Sequence, residues 1–118
     1  MDIFLKTVSA LNDETRVKII KFLNINGDCC VCDLESSFDM IQSRLSRHLK
    51  ILKEAGFLKV ERTGRWAYYS IRTPLDEFRL SAIKEIMTLD IDLPQLKKSC
   101  ESWIFFVFYI SINLDILI

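Results

Sequence analysis

The chain has 118 residues, with 16 basic and 16 acidic side chains and 50% hydrophobic residues. That length supports one domain, and the apolar content excludes disorder over most of it. Zero net charge excludes a binder acting through bulk charge alone, and only three glycines and two prolines favour helices over a strand-and-turn fold.

The predicted elements follow in chain order. Residues 3–10 place Phe4, Leu5 and Val8 on one helical stripe that Leu11 continues, a short amphipathic helix. Asn12 is a suitable N-cap for the next helix, with Asp13 and Glu14 in its first turn. Its apolar face is Val17, Ile19, Ile20, Phe22 and Leu23, and Asn26-Gly27 ends it. A short helix is expected over 31–38, then a turn at 39–41. Residues 42–55 form the clearest helix, with Ile41, Leu45, Leu49 and Leu52 on one side and Ser43, Arg47, Lys50 and Glu54 on the other; Gly56 stops it. The β-branched and aromatic runs 57–60 and 66–71, separated by residues 61–65, predict a hairpin with a basic turn. Pro74 opens a last helix through Leu75, Phe78, Ala82, Ile83, Ile86 and Leu89, bounded by Pro94. The result is a mainly α fold with a small β-hairpin, ordered α-α-α-α-β-β-α: a winged helix-turn-helix over residues 1–95.

Charge is concentrated where this fold would use it. The window 42–65 holds seven basic residues against two acids, a net +5, while the rest of the chain sums to −5. Phosphate neutralisation needs such a patch. Gln42, Ser43, Arg44, Ser46, Arg47 and Lys50 on the long helix are candidate contacts to double-stranded DNA, since arginine pairs bidentately with guanine and glutamine with adenine. Arg62 and Arg65 at the hairpin are candidates for a flanking phosphate or the minor groove. His48 lies at the edge of the apolar stripe and is expected to be packed or to contact a phosphate.

Cys29, Cys30 and Cys32 stand at or just before a helix N-terminus, where the helix dipole favours thiolate. Three thiolates within four residues suit soft species: As(III), Sb(III), Cd(II), Pb(II), and less well Zn(II), which takes four ligands. A regular helix splays neighbouring side chains by about 100°. Cys30 and Cys32 are therefore expected to chelate one ion only by distorting the first turn of the helix-turn-helix, so that ligand and DNA compete through its conformation. Cys29-x-x-Cys32 also has the spacing of a redox enzyme, but the βαβ setting such a site needs is missing, and no catalytic residue is assigned. No basic-then-apolar signal peptide is visible at the N-terminus, so the expected compartment is the cytoplasm, where thiols stay reduced.

The segments 11–16, 30–34 (Cys-Val-Cys-Asp-Leu), 43–56 and 64–69 together resemble the ArsR/SmtB family of metal-sensing winged-helix repressors, over about residues 3–90, and the Cys-Val-Cys-Asp-Leu element resembles its arsenite-sensing branch. The resemblance implies a homodimer built on the first and last helices, with Phe4, Leu5, Val8, Phe78, Ile83 and Ile86 as candidate interface residues, on operator DNA with dyad symmetry. It implies repression of an arsenic-resistance operon with no cofactor while bound to DNA, and release by As(III) or Sb(III), or alternatively by Cd(II), Pb(II) or thiol oxidation. Cys30 and Cys32 carry over directly. Where some arsenite sensors have a third cysteine this chain has Glu35, leaving Cys29, or more weakly Cys100, as the substitute. The histidines of the zinc sensors are absent from residues 76–90.

Residues 96–118 are a separate hydrophobic tail, with thirteen of the last sixteen residues apolar. Sixteen residues fall short of the ~20 that span a bilayer, and no membrane partner is expected. Residues 110–116 alternate apolar and polar in a strand-like period.

Overall fold

The computed structural model describes residues 1–98, so the tail of residues 103–118 and Cys100 lie outside the described residues. Five helices and three strands run in the order α1 (Asp2–Ala10), α2 (Glu14–Asn26), β1 (Cys29–Cys30), α3 (Val31–Phe38), α4 (Gln42–Glu54), β2 (Leu58–Thr63), β3 (Trp66–Ile71), α5 (Glu77–Thr88). The architecture is the expected winged helix-turn-helix with one added element. Strand β1 joins the hairpin to make a three-stranded antiparallel sheet in the order β1-β3-β2.

Local chemistry accounts for most boundaries. The Asp13 carboxylate accepts the Arg16 backbone N–H and caps α2, so the cap falls one residue after Asn12. Helix α4 ends in a Schellman arrangement: Phe57 N–H donates to the Leu52 carbonyl and Gly56 N–H to that of Lys53. Gly56 has φ +86°, and a Cβ there would lie 2.7 Å from the Arg79 guanidinium, so both backbone and packing require glycine. The hairpin is tighter than expected, because Thr63 pairs with Trp66 and leaves a two-residue turn. Gly64 supplies the positive φ that such a turn needs at its first central position. Helix α5 starts only at Glu77, capped by Asp76, and ends at Thr88, well before Pro94.

The core gathers Ile19, Ile20, Phe22 and Leu23 of α2, Leu34 of α3, Leu45, Leu49 and Leu52 of α4, Phe57 and Leu58, and Ile83 and Ile86 of α5. Ile41 does not join the α4 stripe. It is the extended N-cap residue and is 72% exposed. Arg79 binds three elements together, donating to the Ala55 carbonyl (2.8 Å), to Thr7 Oγ1 (3.1 Å) and to Asp76 Oδ1 (2.7 Å). That last bond holds the Asp76 carboxyl below its ordinary range. After α5 the chain turns back over α2 and α3. Lys21 donates to the Leu89 carbonyl, Ser37 Oγ accepts the Lys97 N–H, and Lys98 pairs with buried Asp33 at 3.3 Å.

Candidate functional site

One cleft holds both candidate chemistries. It has a volume of about 490 Å³ and lies between the N-terminal ends of α3 and α4 and the β2–β3 wing. Cys30, Cys32 and Glu35 line it from α3 and its cap, Gln42 and Ser46 from α4, and Arg62, Arg65, Trp66 and Tyr69 from the wing.

On α4 the amphipathic split places Gln42, Ser43, Arg44, Ser46, Arg47 and Lys50 on the exposed side. Leu45, Leu49 and Leu52, behind them, anchor the helix to the core. Arg62 and Arg65 are exposed on the wing, and the Arg65 guanidinium lies 5.0 Å from the Trp66 ring centroid. The structure therefore brings eight of the nine candidate DNA-contacting side chains to solvent, at the open end of the helix-turn-helix.

His48 is the exception. It is 8% exposed, with Nδ1 at 3.3 Å from Arg16 Nη1 and 3.9 Å from Asp13 Oδ1. A guanidinium only donates, so the ring nitrogen accepts and is unprotonated. Burial lowers the His48 pKa, Asp13 acts against that, and Arg16, Arg44 and Arg47 reinforce it. Burial works against the Asp13 charge, yet the Arg16 N–H, His48 once acid protonates it, and the Arg16 guanidinium hold its carboxyl below the ordinary range. His48 thus takes the packed alternative and locks α4 to the α1–α2 junction. The part played by Arg16 had no local sequence signal, since 32 residues separate it from His48.

The cysteines divide. Cys30 has extended backbone as the N-cap of α3, with φ −77° and ψ 162°, and this removes the helical splay. The Cys30 and Cys32 sulfurs are 3.0 Å apart, in contact without the distortion that regular helix geometry predicted. This is well beyond the about 2.05 Å of a disulfide. Two sulfurs on one ion at about 2.3 Å would stand about 3.8 Å apart at a tetrahedral angle and about 3.3 Å at a right angle. The pair is nearer the second, so a pyramidal centre requires a smaller opening than a tetrahedral one.

Cys29 does not join them. Successive strand residues face opposite sides: Cys30 lines the cleft and Cys29 is packed in the core, its Sγ 3.5 Å from the Gly27 carbonyl. Burial pushes its thiol pKa up to about 11, with Lys98 acting against the shift, so it stays protonated. Among the described residues no cluster of three metal-ligating side chains occurs.

The candidate interface residues also divide. Phe4, Leu5, Val8 and Phe78 are 42–54% exposed, and the Phe4 and Phe78 rings meet at 5.5 Å. Ile83 and Ile86 are 4% and 5% exposed, packed inside their own chain on the opposite side of α5. No helix among the described residues is long and apolar enough to cross a membrane.

Residues 13–60 match the model of the bacterial regulatory proteins of the arsR family. The chain is 37% identical over 75 residues to an arsenical resistance operon repressor of Escherichia coli, covering 64% of each chain. It is 39% identical over 66 residues to a cadmium resistance transcriptional regulatory protein homologue of Staphylococcus aureus, covering 56% of this chain and 54% of that one. An HTH-type transcriptional regulator of Methanocaldococcus jannaschii is 42% identical over 62 residues, 52% of this chain and 70% of its own length. The chain thus spans less than two thirds of the first two relatives. Among solved structures, reduced HlyU from Vibrio cholerae superposes with a TM-score of 0.63 at 21% identity, covering 77% of this chain and 92% of that one. A homodimeric winged helix-turn-helix DNA-binding domain from Mycobacterium bovis gives 0.62 at 24%, covering 72% and 75%. At these identities the likeness is one of fold.

Proposed function

The chain belongs to the arsR family of bacterial regulatory proteins, and we propose that it is a dimeric repressor of an arsenic-resistance operon that leaves its operator when a soft metalloid, As(III) or Sb(III), binds the Cys30 and Cys32 thiolates. One observation carries this reading. The touching sulfur pair opens into the same cleft as Gln42, Ser46, Arg62 and Arg65. An ion held there, with its charge and remaining ligands, occupies the space between the reading helix and the wing. Release then follows from competition for that cleft. That the Escherichia coli relative is an arsenical resistance operon repressor supports the operon assignment.

The exposed face of Phe4, Leu5, Val8 and Phe78 is the proposed dimer contact, which places two reading helices on a dyad-symmetric site. A second reading, a Cd(II)- or Pb(II)-responsive repressor, is favoured by the cadmium-resistance relative. Thiol oxidation is a third, since the two sulfurs already touch. All three place the protein in the cytoplasm with its DNA.

The test is fluorescence anisotropy of the reduced full chain on DNA from upstream of its own gene, titrated with arsenite, Cd(II), Zn(II) and an oxidant. Binding reversed by low-micromolar arsenite supports the proposal. Release by cadmium or oxidant alone moves the assignment to the second or third reading. Failure to bind at low salt removes the repressor reading.

A further inference from the structure

We infer that Ile41 is a specificity-determining residue of the DNA interface, one that reads the 5-methyl group of a thymine in the major groove of each half-site. The inference rests on the repressor reading above and adds a base-reading side chain to it.

Past Ile3, no large apolar side chain among the described residues is as exposed as Ile41. One such residue on a surface needs no explanation by itself. Its position does. Ile41 is the N-cap of α4, with extended backbone (φ −68°, ψ 149°), and it makes no side-chain cap bond. Serine, threonine, aspartate or asparagine there would accept a backbone N–H of the first turn. Helices α2 and α5 have such caps in Asp13 and Asp76. Helix α4 forgoes that bond and holds an aliphatic side chain in water, and Ile41 is not among the residues packed on the core.

What offsets this lies on the DNA side. Ile41 directly precedes Gln42 and Ser43, at the end of a recognition helix that meets base edges. It shares a shallow cleft of about 370 Å³ with Glu35, Ser36, Asp39 and Met40, and Glu35 also lines the cleft beside the wing. The charged lining at this corner is acidic, so it repels phosphate. The cations that suit phosphate, Arg44, Arg47, Lys50, Arg62 and Arg65, stand further along α4 and on the wing. Base edges are what Ile41 can approach. In the major groove the apolar feature of those edges is the thymine methyl, and contact with an aliphatic side chain takes both out of water. A serine at this position would cap the helix and lose that contact.

The experiment measures fluorescence anisotropy of the reduced full chain on two duplexes from upstream of its own gene. One carries thymine and the other deoxyuridine at every thymine position, so they differ in the 5-methyl groups alone. Parent and Ile41→Ser are compared on both. A buried methyl is worth about fourfold in affinity, so over two half-sites the thymine-over-uracil preference is expected to be about fifteenfold larger in the parent than in Ile41→Ser. Deoxyuridine placed at one thymine at a time is expected to trace the difference to one dyad-related pair. Urea unfolding separates reading from structure: Ile41→Ser supplies a cap and is expected to unfold at higher urea than the parent while binding thymine DNA more weakly. An equal preference in the two proteins, or a variant that binds the thymine duplex as tightly as the parent, would overturn the inference and leave the repressor reading intact. A shift of Ile41→Ser toward monomer in sedimentation without DNA would assign the side chain to a protein contact and overturn it as well. A parent that binds neither duplex at low salt removes the repressor reading, and the inference with it.

Discussion

Arg62 offers a quantitative test of the DNA interface. It is exposed on β2 beside the two-residue turn, on the cleft side of the wing, where a DNA backbone flanking α4 would pass. Each phosphate neutralised steepens the dependence of log K on log salt by about 0.9. A dimer presents two copies, so Arg62→Ala removes about 1.8 from that slope. Between 50 and 200 mM salt, the variant should lose about tenfold less affinity than the parent, although it binds more weakly at low salt. Fluorescence anisotropy on one duplex over four salt concentrations measures both slopes. Lys84→Ala, an exposed cation on α5, serves as the control and should leave the slope unchanged. An Arg62→Ala slope equal to that of the parent would mean that the wing does not touch phosphate, and the docking geometry would be wrong.

Other substitutions address the thiols, the core and the interface. Cys30→Ser and Cys32→Ser should bind DNA normally and resist arsenical release in the same anisotropy assay. Cys29→Ser should release normally but lose about 1–3 kcal/mol in urea unfolding, because it buries a hydroxyl in an apolar core. Burial holds the folded-state pKa of His48 below its ordinary 6.5, so the unfolded chain takes up the proton first and stability falls as pH drops through about 6.5. The depressed Asp13 and Asp76 carboxyls add losses of the same sign at lower pH. Urea midpoints at pH 7.5 and 5.5 should therefore differ less in His48→Gln than in the parent, and an equal difference would remove His48 as the source. Phe4→Glu should shift the protein toward monomer in sedimentation and weaken operator binding, since it puts a charge in the exposed Phe4–Phe78 contact. Arg79→Ala should cost about 2 kcal/mol or more by leaving the α4 end and Thr7 without their donor.

What was legible in the sequence followed local periodicity. Leu45, Leu49 and Leu52 with Gly56 defined α4 and its end, and the charge gathered in residues 42–65 pointed to the exposed face that the structure presents. What was not legible depended on distant partners. Strand β1 has two residues and exists because Cys29 and Cys30 pair with Tyr69 and Tyr68, about forty positions away. That pairing sends Cys29 inward and Cys30 into the cleft, so a cluster of three cysteines becomes a pair. On α5 one broad apolar stripe serves two surfaces. Ile83 and Ile86 turn to α2 and the core while Phe78 turns outward, a division that composition cannot make. Ile41 had the right spacing for the α4 stripe but stands as its N-cap, outside the helical register.

Under the proposed function, the position of Cys30 also determines how sensing would be coupled to DNA binding. Were both cysteines inside regular helix, a ligand would have to unwind the first turn of α3, and the cost of unwinding would be subtracted from its affinity. With Cys30 as an extended cap the sulfurs are preorganised, and little conformational free energy is needed to seat the ligand. The proposed coupling then arises from occupancy of a shared cleft. Coupling of this kind is reciprocal: DNA in the cleft must weaken the ligand by the same factor by which the ligand weakens DNA. It also scales with the volume of what the sulfurs hold, whereas a helix-unwinding mechanism would depend only on the sulfur–ligand bonds. A measured dependence of release on ligand size at constant sulfur chemistry therefore separates the two mechanisms, and the geometry of the Cys30–Cys32 pair favours shared occupancy.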